Sequence, residues 1–156
     1  MTVRVMRCKA SDNEYLHPDF HGALSAGIDY LHRTYGPRAV RDYLRAFARR
    51  YYAPVTEALR REGLPALKRH IAALYRREKA PCQIRLTRDE LVVTVPACPA
   101  VTHMRRRGYP VARLFHETTR TVNAALCEGT PFRAELTAYD PETGRSVQRF
   151  YRRGRR

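Results

Sequence analysis

No stretch of the 156 residues approaches the ~18 consecutive apolar residues that a membrane-spanning helix needs. The four cysteines, Cys8, Cys82, Cys98 and Cys127, contain no CxxC pair, which argues against both a zinc ribbon and a small disulfide scaffold. There is no GxGxxG, Walker A loop, GxSxG elbow or HExxH, so a nucleotide-dependent enzyme and an ordinary serine hydrolase are disfavoured. The segment from Met1 to Cys8 is short, alternating and charged, unlike a secretory signal, and a cytoplasmic protein with no membrane partner is expected. Lysine is scarce as well: only Lys9, Lys68 and Lys79 interrupt a basic set that is otherwise arginine.

What is present is a composition able to fold. Hydrophobic residues make up 44% and aromatics 10%, enough to bury a core, so a disordered chain is excluded. The length suits one domain over 1–156, with 1–16 as an N-terminal arm and 149–156 as a basic tail. Thirty Lys and Arg against fifteen Asp and Glu give a net charge of +15. That excess suits a polyanion such as nucleic acid, but an arginine-biased, well-solvated surface has the same composition. Base-reading motifs are missing and the tail interleaves only Phe150 and Tyr151 with arginine, so nucleic acid is not the favoured partner.

The first half reads as helical. Phe20, Leu24, Ile28, Leu31 and Tyr35 recur at helical spacing until Gly36-Pro37. Val40, Tyr43, Leu44, Phe47 and Tyr51 form the next apolar stripe, a shorter helix runs from Val55 to Arg61 before Gly63, and Leu67, Ile71 and Leu74 mark a fourth. After Pro81 the period changes to two: Ile84, Leu86, Leu91, Val93 and Val95 flank Thr87 to Glu90 as a hairpin. Residues 97–110 are expected as loop or broken helix, Val111 to Leu126 as a fifth helix, and 132–139 and 145–152 as two strands around the turn from Asp140 to Gly144. The fold class is therefore α+β: a helical N-terminal half followed by ββ-loop-α-ββ, with a four-stranded antiparallel sheet. A short strand is expected near Val3 to Cys8, and a frayed tail from Arg149.

Cys98 ends a strand beside a loop, where arginines could lower its pKa; free cysteines are, however, usually small buried hydrophobes. His103 lies five residues on and could share that loop. His116 and Glu117 sit on the fifth helix about 100° apart, able to border one cleft but not to form an i, i+4 metal pair. Arg120, Asn123 and Cys127 continue the His116 face, but ~16 Å of helix separates His116 from Cys127, too far for one metal. His17 and His21 do have i, i+4 spacing, a weak signal that needs further ligands. Tyr30, Tyr35, Tyr51 and Tyr52 could line a cavity or simply pack, and Arg105, Arg106 and Arg107 could hold an anion or face solvent. Exposed apolar helix faces would be compatible with a homodimer.

The strand Leu91–Val95, Cys98-Pro99, Gly108, His116-Glu117 and the closing hairpin from Gly144 to Phe150-Tyr151 together resemble the L-2-amino-thiazoline-4-carboxylic acid hydrolase family. The helical first half with Tyr35-Gly36 is similar to such chains too, so the resemblance spans about residues 17–152. It implies ring-opening hydrolysis of a small cyclic amidine-like substrate, and is shared with vinyl-reductase-like domains that bind small molecules and can carry zinc on cysteines. The resemblance carries over Cys98 as nucleophile or metal ligand and Glu117 as the acidic position. His116 stands where a second cysteine is expected, and Ser146 to Arg149 offers no final one. The expected catalytic set is Cys98, His116 and Glu117, with His103 and Arg105 to Arg107 on a carboxylate-bearing substrate and a divalent metal such as zinc as the cofactor to test. A non-catalytic small-molecule binding or sensing domain is the alternative, a nucleic-acid binder the third.

Overall fold

The computed structural model describes residues 19–154. The expected strand near Val3, His17 and the last two arginines lie outside the described residues. Helix α1 (Phe20–Tyr51) is broken at Gly36, whose φ of 82° only glycine adopts readily, with Pro37 restarting the helix beyond it. Two helical segments meeting at Gly36-Pro37 are what the two apolar stripes predict. Helices α2 (Ala53–Glu62) and α3 (Leu64–Arg77) follow, separated by Gly63.

Strands β1 (Gln83–Leu86) and β2 (Glu90–Val95) form the expected hairpin. Helix α4 (Pro99–Arg107) and helix α5 (Glu117–Leu126) precede β3 (Phe132–Tyr139) and β4 (Ser146–Arg152). All strand pairs are antiparallel in the order β1-β2-β4-β3, so the α+β architecture and its four-stranded sheet are as expected. Three local expectations are corrected. Residues 99–107 form an unbroken helix rather than a loop or broken helix, because Pro99 fits a first turn and Gly108, at φ 69°, closes the last. The fifth helix begins at Glu117 rather than Val111, because buried Ser25 captures the preceding loop: its hydroxyl donates to the Pro110 carbonyl (2.8 Å) and accepts from the Ala112 amide (2.8 Å). The tail is not frayed as far as Arg152, whose amide donates to the Asp89 carbonyl at 3.0 Å.

The helices share one face of the sheet. Leu91, Val93 and Val95 of β2 and Phe150 of β4 point into a core with Leu59, Leu64, Leu67 and Ile71 from α2 and α3. A second core joins α1, α4 and α5 through Ile28, Val40, Leu44, Val101, Met104 and Val122. The outer face is polar, with Arg149 set against Glu90 and Glu135. Burial of these apolar side chains, at roughly 25 cal/mol per Å², drives the assembly. No described helix is long and apolar enough to cross a membrane.

Candidate functional site

The end of the sheet nearest α4 gathers polar side chains from several elements. Cys98 caps α4: its carbonyl accepts the first helical bond from Thr102 (2.9 Å), and its amide donates to the Thr143 carbonyl in the β3–β4 turn (3.0 Å). Gly144 of that turn is held at φ 68°, and a Cβ there would sit 2.4 Å from the Cys98 Cβ, so only glycine lets the turn close on the cysteine.

Tyr139 reaches this place through a β-bulge. Leu136 pairs with Gln148 and Ala138 with Val147, so Thr137 is an extra residue on β3. The bulge brings Tyr139 into register with Ser146, whose side chain, like that of Gln148, lies on the buried helix-facing side. Without it, the alternation of β3 would turn Tyr139 outward. There the Tyr139 ring meets His116 at 5.5 Å between centroids. Burial pushes the Tyr139 hydroxyl up to about 12, with Cys98 and Asp140 adding to the shift and Arg105 opposing it. Tyr75 of α3 approaches from another side: burial, then Cys98, pushes its hydroxyl up to about 12 as well, against the influence of Gln148. Gln148 accepts from Asn123 Nδ2 at 2.8 Å, tying the centre to α5.

Arginines do not lower the Cys98 thiol pKa as expected. Burial pushes it up, outweighing the amides of Val101 and Ala100 at the first turn of α4, so the resting group is a neutral thiol. Cys98 is only partly buried, whereas Cys127 is a core residue whose thiol burial pushes up to about 12.

Glu117 is a different kind of centre. Its side chain is 0% exposed, which keeps it off the surface and beside His116. It accepts Arg120 Nε at 3.2 Å, a second Arg120 N–H, and Thr121 Oγ1 at 2.6 Å. Arg41 Nη1 and His116 Nε2 stand 3.6 and 3.8 Å from its Oε1. Burial would raise its pKa, but Arg120, Thr121 and His116 outweigh that cost and hold the carboxyl below the ordinary glutamate range.

The remaining expected residues scatter. His103 Nε2 lies 3.0 Å from Asp19 Oδ1, and Arg105 pairs with Glu142 at 3.4 Å. Arg105, Arg106 and Arg107 are exposed on the last turn of α4; of the three, Arg105 alone acts on the centre, through Tyr139. His21 has a buried Nε2 without a hydrogen bond, 3.8 Å from Glu78 Oε1. Among the described residues no three His, Cys, Asp or Glu side chains stand close enough to hold a metal ion. Tyr35 and Tyr51 stand in solvent, while Tyr30 borders an open groove of about 410 Å³ beside Ser25 and Pro110. A second groove of about 440 Å³ lies between Arg49, Thr56 and Gly129, and Cys98 lines neither.

Sequence reading singled out Cys98 and His116 but missed Tyr75, Tyr139 and Gln148. A tyrosine directly before the Asp140-Pro141 turn is visible in sequence; the bulge that aims it is not. No family model, no curated protein and no solved structure matches this chain.

Proposed function

We propose that the chain is a hydrolase-like enzyme centred on Cys98, opening a small cyclic amidine or thiazoline-type substrate. The observation that carries this reading is the convergence of Cys98 at the start of α4 with the bulge-aimed Tyr139 and, through its ring, His116. In the proposed reaction the Cys98 thiol passes its proton to the His116 imidazole, and the sulfur attacks the sp² carbon between ring nitrogen and ring sulfur. The carbon–sulfur bond of the ring breaks, and the leaving sulfur takes the proton back. Water then displaces Cys98 from that carbon, releasing the opened product and restoring the thiol. Arg105 is the arginine of the 105–107 run offered to a substrate carboxylate, since its charge already reaches Tyr139. Glu117 orients His116 from behind rather than meeting substrate.

A second reading, small-molecule binding without catalysis, is favoured by the raised pKa of the Cys98 thiol, since only the thiolate is a strong nucleophile. Incubation with 2-amino-thiazoline-4-carboxylate, followed by mass spectrometry, separates the two. The hydrolase reading expects ring-opened product that disappears in Cys98→Ala. Full turnover by Cys98→Ala would overturn it, and thermal stabilisation by the compound without any product would leave the binding domain.

A further inference from the structure

The Glu117 centre holds more positive than negative charge, and the surplus faces outward. Two guanidinium groups share one carboxylate, a local balance of about +1 before His116 contributes. The carboxylate is 0% exposed, yet the side chains of Arg41 and Arg120 remain 39% and 52% exposed. Arg120 turns Nε and one terminal nitrogen inward, and Arg41 directs a single terminal nitrogen to Glu117 Oε1 from 3.6 Å. A guanidinium carries five N–H donors, so donors on both arginines remain for something outside. The two come from different elements, Arg41 from α1 and Arg120 from α5, and the buried carboxylate fixes them side by side. Arginine forks held in place in this way are pre-organised for a planar or tetrahedral oxyanion.

We propose that Arg41 and Arg120, held over the buried carboxylate of Glu117, form a recognition site for a small oxyanion, a carboxylate or a phosphate group. The site shares Glu117 with the proposed Cys98 centre but takes its ligand on Arg41 and Arg120, so failure of the hydrolase reading leaves it standing. Glu117 acts in it as an internal competitor: it orients the two arginines while neutralising part of their charge.

That double role gives the test opposite signs. Isothermal titration of the whole chain at low ionic strength, with inorganic phosphate and malonate in parallel, should show one site. The tighter-binding probe tells a phosphate from a carboxylate ligand. Arg41→Gln removes one charge-assisted contact and should weaken binding about tenfold. Glu117→Gln removes the competitor and should tighten it. Arg88→Gln, an equal loss of charge in the exposed turn between β1 and β2, should leave the affinity within about twofold. Absence of binding, or equal weakening by Arg88→Gln and Arg41→Gln, would overturn the site, the latter leaving only general attraction to a +15 protein. An unchanged affinity in folded Glu117→Gln would overturn it too. Should that variant not fold, the comparison of Arg41→Gln with Arg88→Gln decides alone, because Arg41→Gln leaves Arg120 and Thr121 on the carboxylate.

Discussion

Glu117 is buried and Cys98 half-buried, and burial penalises the charged form of each, yet they resolve that penalty in opposite ways. Glu117 is surrounded by Arg120, Thr121, Arg41 and His116, and its carboxyl stays ionised. Cys98 has two hydroxyls that resist ionisation nearby, Tyr75 and Tyr139, and no cation among the described residues at its sulfur, so it stays a neutral thiol. Charge persists in the interior only where partners replace the lost water. The two meet at His116, 3.8 Å from Glu117 Oε1 and with its ring tilted 48° against that of Tyr139.

The contrast can be broken most forcibly by stripping Glu117. The double variant Arg41→Ala/Arg120→Ala leaves the buried carboxylate with Thr121 and His116 but no guanidinium, and should cost about 3 kcal/mol in urea unfolding. Arg41→Ala alone, with a half-exposed partner removed, should cost under about 1 kcal/mol. A smaller effect comes from pH. Because folding lowers the Glu117 pKa, its stabilisation is complete above the ordinary glutamate value of about 4.3 and is lost as pH falls below it. Urea midpoints between pH 5 and 3 should therefore fall more steeply for the wild type than for Glu117→Gln. Equal slopes would mean that the buried carboxylate contributes no proton linkage.

Much of this arrangement was legible in the sequence, and the rest was hidden for physical reasons. The period-two runs around Thr87 and Asp140 gave all four strands, because one face of each is buried and alternation follows. Helix α4 was obscured because Pro99, Gly108 and three consecutive arginines look like loop signals, although proline at a first turn and glycine just past the last also mark a helix. The early residues of the expected fifth helix were lost to Ser25, a contact across most of the chain that no local pattern records. At the site, Cys98 was visible from its place after a strand. Its relation to Tyr139 depends on one bulged residue, Thr137, and a one-residue insertion in register leaves no mark on periodicity that short. The burial of Glu117 was likewise invisible, since a charged residue at the start of a helix ordinarily faces solvent.

The most direct test of the Cys98 centre is its reaction with iodoacetamide in the folded protein across pH, read on the Cys98 and Cys127 peptides by mass spectrometry. Cys98 should be modified while Cys127, 2% exposed, is protected, and the Cys98 rate should still be climbing at pH 9 because burial opposes its thiolate. Protection of Cys98 equal to that of Cys127 would make it a packing residue and contradict the account.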